Sequence, residues 1–174
     1  NKYTITFDTD GGNAVASITQ DYGTALALPT PAKEGYGFGG WYTDQNCTKR
    51  FTANTMPAEN TTLYAKWSIG EYTLTFDTDG GSVIASISQK YGTAVTAPAD
   101  PTREGYTFAG WDQTIPATMP ARDMTIQAKW TVNKYTITFD TDGGNAIAPI
   151  TQDYGTALTL PTPAKEGYGF GGWY

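Results

Sequence analysis

The sequence predicts an α+β protein, mostly β, built as a tandem array of small modules with one short helix each. Three observations carry that reading. A ten-residue stretch, Tyr3 to Gly12, returns at Tyr72–Gly81 and again at Tyr135–Gly144. Each copy alternates apolar and polar residues at the period of a strand. Each copy is followed by a short stretch between a Pro and a Gly that has room for about one helical turn. Repeats at such a period outrank chain length as a guide to domain number. The expected modules are residues 1–68, 69–131 and 132–174, the third truncated and without a last strand.

The copying is close. Residues 1–42 and 133–174 differ only at Val15/Ile147, Ser17/Pro149 and Ala27/Thr159. A two-module block duplicated as a unit accounts for this.

Tyr3, Ile5 and Phe7 share one face of the first strand, with Thr4, Thr6 and Asp8 on the other. Tyr72/Leu74/Phe76 and Tyr135/Ile137/Phe139 repeat the apolar face. Asp8-Thr9-Asp10-Gly11-Gly12 has hairpin-turn chemistry. The return strand is expected from about Val15 to Tyr22, with Ile18 inward. Pro149 requires an edge strand or a late start in the third copy.

Thr30-Pro31, Asp100-Pro101 and Thr162-Pro163 read as an N-cap followed by Pro at the first helical position. Gly35, Gly105 and Gly167 supply the stop. A short helix or 3₁₀ turn is therefore expected in each module.

The next strand carries the constant pattern Gly-Tyr-x-Phe-x-Gly-Trp. Its aromatics are Tyr36, Phe38 and Trp41, then Tyr106, Phe108 and Trp111, then Tyr168, Phe170 and Trp173. The Trp is one step out of phase with the Tyr and Phe. Either a bulge at Gly39-Gly40 returns Trp41 to their face, or Trp41 covers the opposite face. After the Trp the copies diverge, then converge on Thr55-Met56-Pro57-Ala58 and Thr118-Met119-Pro120-Ala121. A last strand places Leu63, Ala65 and Trp67 on one face, matched by Ile126, Ala128 and Trp130. The expected core is aromatic: Phe7, Tyr36, Phe38, Trp41, Trp67, Phe76, Tyr106, Phe108, Trp111, Trp130, Phe139, Tyr168, Phe170 and Trp173.

A module of this size buries a modest share of its surface. Cys47 is the only cysteine, so disulfides cannot compensate. Five Trp and twelve Tyr can, since each buries roughly 150–250 Å². Four residues separate Trp67 from Tyr72, and four separate Trp130 from Tyr135. Such short linkers predict a stiff, elongated rod.

Net charge is −6 and the pI near 4.5, which excludes a nucleic-acid reading for want of a basic patch. No apolar run approaches transmembrane length, so direct membrane insertion is not expected. There is no His, which removes most acid–base and zinc chemistry. Asp8-Thr9-Asp10-Gly11-Gly12 lacks the acid, Gly and Glu that a calcium loop needs at its fifth, sixth and twelfth places. Asp8 and Asp10 lie on a turn with no visible cleft, which argues against glycosidase work. Gly37-Phe38-Gly39-Gly40-Trp41 lacks the Lys-Ser/Thr of a phosphate loop. No catalytic, metal or cofactor residues are expected.

Four spaced motifs, Tyr-Thr-Ile-Thr-Phe-Asp-Thr-Asp-Gly-Gly, Tyr-Gly-Thr, Pro-x-Lys/Arg-Glu-Gly-Tyr-x-Phe-x-Gly-Trp and Thr-Leu-Tyr-Ala-Lys-Trp, resemble the Listeria–Bacteroides repeat, also called the internalin B-repeat. The resemblance covers Tyr3–Trp67 and Tyr72–Trp130 fully and Tyr135–Tyr174 in part. It implies a β-grasp fold similar to ubiquitin, a mixed sheet crossed by a short helix. It implies an extracellular place, on a bacterial surface or cell wall, between a functional head and an anchor.

The expected function is a non-catalytic stalk or spacer that displays a head domain. The alternative is an adhesion module that binds a host-surface protein or glycan through the variable loop, Tyr42 to Asn60. Other expected partners are adjacent repeats of the same chain. An unpaired edge in the third module invites weak self-association.

Overall fold

The computed structural model describes residues 1–174, and every regular element in it is a strand. In the first repeat β1 (Lys2–Asp8), β2 (Ile18–Asp21), β3 (Tyr36–Tyr42) and β4 (Thr61–Ile69) form a sheet of order β2-β1-β4-β3. The second repeat has β5 (Glu71–Asp77), β6 (Ile87–Lys90), β7 (Tyr106–Trp111) and β8 (Met124–Val132), in the matching order β6-β5-β8-β7. The third has β9 (Lys134–Ile137) and β10 (Ile150–Asp153), paired with each other.

The expected α+β class, and with it the helix-crossed β-grasp module, is corrected: the protein is all-β. Local chemistry explains the missing helix. Pro29 and Pro31 push Leu28 and Thr30 toward extended backbone. Asn13 then takes both backbone groups of Ala32. Its side chain accepts from the Ala32 N–H, and its own N–H donates to the Ala32 carbonyl at 2.8 Å. Groups that would start a helix are already spent. Ser82 does the same to Thr102, and Asn145 to Ala164. The chain then reverses at Glu34-Gly35 in a tight turn, with the Tyr36 N–H donating to Lys33 O at 3.0 Å. Thr-Pro here is extended chain, not a cap.

In the first sheet β1 and β4 run parallel, and β3 runs antiparallel to β4. The β1–β2 hairpin pairs Ile5 with Ile18, so β2 is shorter than the Val15–Tyr22 expectation. β10 likewise begins at Ile150, just after Pro149. The register of β3 against β4 shifts between Phe38 and Gly40, where Gly40 adopts φ +109°. That bulge brings Trp41 back to the Phe38 side, with ring centroids 5.3 Å apart.

The core of the first repeat is Ile5, Trp41, Met56, Leu63 and Ala65, with Phe7, Phe38 and Trp67 packed against it. Leu74, Phe76, Met119, Ile126 and Ala128 are buried further along the chain. Contacts divide the chain into two compact units. One is Asn1–Thr75 with Ser86–Ala97 and Ile115–Thr125. The other is Phe76–Ala85 with Pro98–Thr114 and Ile126–Tyr174. The division runs through the second repeat.

Candidate functional site

Two features stand out on this scaffold, the loop after β3 and the joints between repeats. The loop is built on Asp44. Its carboxylate accepts hydrogen bonds from the Thr48 N–H, the Thr48 hydroxyl and the Lys49 N–H, the last at 2.6 Å. Amides of Thr48 and Lys49 hold its pKa below the usual carboxylate value. Cys47 turns the chain with φ +51°. The Phe51 N–H then donates to Trp41 O at 2.8 Å. Further on, Met56 is fully buried, and its backbone bonds Thr24 and Gly23. Asn60 finally accepts from the Thr4 N–H at 2.8 Å. In the second repeat Asp112 instead receives the Gln127 N–H, and Met119 repeats the Met56 anchor onto Thr93 and Gly92. Both loops are therefore pinned at their distal ends by a buried Met. No three Asp, Glu or Cys side chains converge in a way that could hold a metal ion.

The joints are tighter than the sequence suggested. Only Gly70 separates β4 from β5, and only Asn133 separates β8 from β9. At the first joint the Gly70 N–H donates to Gly35 O at 2.8 Å, and the Tyr91 N–H donates to Gly70 O at 2.9 Å. The Tyr91 ring packs against Gly35. A Cβ there would sit 2.1 Å from Tyr91 Cδ1, and Gly35 has φ +75° besides. Tyr36 and Tyr91 meet edge to face at 6.1 Å. The second joint repeats every contact: Asn133 N–H to Gly105 O at 2.9 Å, Tyr154 N–H to Asn133 O at 2.8 Å, and Tyr154 on Gly105, with Tyr106 and Tyr154 also 6.1 Å apart. Here the Thr107 hydroxyl adds a bond to Asn133 Oδ1, and Lys134 an ion pair to Asp153 at 3.0 Å.

The expected aromatic core divides into three groups. Trp41 and Phe76 are buried. Phe7, Tyr36, Phe38, Trp67, Tyr106, Phe108, Trp111, Trp130, Phe139 and Trp173 are half-buried. Tyr168 and Phe170 are exposed, at 73% and 43%. The fully buried side chains are instead aliphatic or Met: Ile5, Met56, Leu63, Leu74, Met119 and Ile126. Met56 and Met119 were absent from the expected core. Their signal was the recurrence of Thr-Met-Pro-Ala inside an otherwise divergent loop. The basic residue before each Glu-Gly-Tyr also had no assigned role. Lys33 Nζ lies 4.8 Å from the Tyr36 ring and donates to Asp10 O. Arg103 lies 4.1 Å from the Tyr106 ring and pairs with Asp79. Each clamps a strand-turn to an aromatic face.

The Listeria-Bacteroides repeat domain matches residues 3–66, 72–129 and 135–174. This chain belongs to that family. It is 38% identical over 186 residues, the whole of its length, to a putative membrane protein of Evansella cellulosilytica. It is 37% identical over 185 residues to a putative Gly-rich membrane protein of the same organism. It is 38% identical over 143 residues, 75% of the chain, to internalin H of Listeria monocytogenes. It spans 28%, 21% and 25% of those three proteins. Among solved structures, two tandem repeat domains of a streptococcal cell-surface protein match at 16% identity. They cover 76% of this chain and 98% of theirs, with a TM-score of 0.27, below that of a shared fold. The chain is thus a tandem-repeat region of a kind shared with membrane and internalin-type proteins.

Proposed function

We propose that this chain is a non-catalytic stalk segment of a bacterial surface protein, outside the cell, that sets the distance of a displayed domain from its anchor. The observation that supports it best is the keyed joint. Tyr91 on Gly35 and Tyr154 on Gly105 form the same lock twice, with the same two backbone bonds and a one-residue link. A flexible tether needs no such lock. A spacer of set length does, because each unlocked joint would add freedom at every repeat. The test is X-ray scattering on chains of two, four and six repeats, made by concatenating residues 1–132. The maximum dimension rises linearly with repeat number if the reading holds. Growth as roughly the square root of length, the mark of a flexible chain, rejects it.

A second reading, adhesion to a host protein or glycan, is favoured by the loop of residues 42–60. Asp44 and Met56 hold it in one conformation before any partner arrives, which lowers the ordering cost of binding. Replacing that loop by residues 112–123 abolishes cell or glycan binding under this reading. Binding that survives the exchange removes the loop as its seat.

A further inference from the structure

We propose that the first and second repeats are tension-bearing clamps, in which the parallel pair formed by the first and last strands resists a pull along the chain by shear, with a Trp indole stapling the pair. Such a role rests on the stalk reading, since only a segment held at both ends carries this load.

The topology sets up the pair. The chain enters the second repeat through Gly70 into β5 and leaves it from β8 through Asn133. Entry and exit strands are neighbours in the middle of the sheet, whose order is β6-β5-β8-β7. In the first repeat β1 and β4 hold the same two places, flanked by β2 and β3. They run parallel, with Ile5, Thr6, Phe7 and Asp8 opposite Thr61, Thr62, Leu63 and Tyr64. The second repeat shows the same direction in its bonds. The Thr73 N–H donates to Asp123 Oδ1 at 2.8 Å, and Gln127 Nε2 donates to Asp77 Oδ2 at 3.5 Å. Donor and acceptor positions advance along β5 and β8 together, as they do in parallel strands.

Parallel pairing decides how a pull is felt. The entry end of β1 and the exit end of β4 lie at opposite ends of the overlap. Tension draws β1 toward its Lys2 end and β4 toward its Ile69 end, so the strands must slide lengthwise. The bonds of a parallel ladder are evenly spaced, and sliding loads them together. An antiparallel pair pulled at its adjacent ends opens one bond at a time instead. β3 and β4 form such a pair, with Tyr36 opposite Ile69. Sliding also meets the core. A shift by one residue turns every side chain to the other face, and Ile5, Leu63 and Ala65 are buried.

Side chains fasten the overlap along its length. Just before the first pair, the Thr4 N–H donates to Asn60 Oδ1 at 2.8 Å. Within it, the Thr6 and Thr62 hydroxyls share a bond of 2.9 Å. Past its end, the Trp67 indole N–H donates to Thr9 O at 2.9 Å. Trp67 lies further along β4 than Tyr64, the last residue of the overlap. Sliding therefore carries the indole away from Thr9 and stretches that bond directly. The ring has a fitted seat, because a Cβ on Gly12 would lie 2.6 Å from Trp67 Cζ2. Trp130 repeats the staple on Thr78 O at 3.0 Å, with a Cβ on Gly81 again 2.6 Å from its Cζ2.

The test is single-molecule force spectroscopy on the full chain carrying Cys47→Ser. Two pulling directions are compared, one between the chain ends and one between handles at Glu34→Cys and Ser68→Cys. The second direction peels β3 from β4. Forced unfolding reads the barrier along the pull, and the end-to-end force of the first repeat should exceed the peeling force roughly twofold or more. Trp67→Phe keeps a ring over Gly12 and removes the indole N–H. It should lower the end-to-end force of the first repeat while leaving the peeling force and the second repeat in place. The second repeat, with Trp130 intact, is the internal control, told apart by the length of chain it releases. A merely structural loss would lower both directions alike. Equal forces in the two directions overturn the proposal, as does a Trp67→Phe loss of the same size in both. Scattering reads the joints and force reads the sheets, so a failed clamp leaves the stalk reading to its own test.

Discussion

Residues 1–42 and 133–174 are nearly the same sequence in two different states. Tyr36–Tyr42 is the strand β3, whereas its copy Tyr168–Tyr174 is not a strand. Ile5 is fully buried, and Ile137 is 39% exposed. Leu26 and Leu28 pack against the core, while Leu158 and Leu160 face solvent. Apart from Tyr22, Ile69 and Val83, all the exposed large apolar side chains lie in residues 135–174. Three substitutions do not account for this. β4 does, because it supplies hydrogen bonds to both β1 and β3 and the Leu63, Ala65 and Trp67 face between them. The contacts that recur in residues 133–174 are local: the β9–β10 hairpin, the turn at Thr141–Gly144 and the Trp173–Pro161 bond. A strand's identity here is a property of its neighbour as much as of its own residues.

The comparison can be broken most forcefully by giving the first repeat the state of the third. Leu63→Ala with Trp67→Ala removes the apolar face of β4. Core truncations of these types cost about 2–5 and 3–5 kcal/mol singly, and as neighbours they will not add in full. Amide exchange at Tyr36–Tyr42 should rise to the rates of Tyr168–Tyr174. Protection that persists in β3 would show that the strand does not depend on β4. Met56→Ala asks whether the loop anchor matters as much as the sheet. Burial of Met56 is complete, so a loss of about 2–5 kcal/mol is expected in denaturant unfolding.

The two copies of the turn glycine sharpen the comparison further. Gly35 and Gly167 have φ +75° and +79°, but only Gly35 carries a Tyr ring on its open face. Ala at either position pays about 1–2 kcal/mol for left-handed backbone. Gly35→Ala should exceed Gly167→Ala, because Tyr91 must also leave, and the tyrosine ring resonances of Tyr91 should move. Equal effects would dissociate the joint from that glycine.

The smallest expected effect concerns Asp44, which Asp112 does not reproduce in its contacts. The Asp44 pKa is lowered by the Thr48 and Lys49 amides. Its contribution is therefore present above the ordinary carboxylate value of 3.8 and is lost as pH falls through the lowered one. Exchange at the Thr48 and Lys49 amides should speed up at the acid end of a titration. Asp44→Asn should remove that pH dependence and leave the rest of the spectrum in place.

Much of this protein was legible in one dimension. Period-two alternation placed β1, β5 and β4, and the copied motifs placed the family and the repeats. The out-of-phase Trp with a Gly before it raised the bulge that Gly40 makes. These are features set by neighbours within a few residues, where sterics and alternation act directly. Thr30-Pro31 misled because its cap signal is also local, but its outcome is not. Asn13, nineteen positions away, takes the backbone groups of Ala32. The aromatic list misled in a related way. Tyr168 and Phe170 read identically to Tyr36 and Phe38, yet they are exposed where Tyr36 and Phe38 are half-buried on the strand paired with β4. The sequence by itself determined the repeat, the strand faces and the turns. Tertiary structure alone decided the absence of a helix, the Met anchors, the Tyr-on-Gly locks and which copies of one motif become strands, because each depends on hydrogen bonds and packing from a segment distant in the chain.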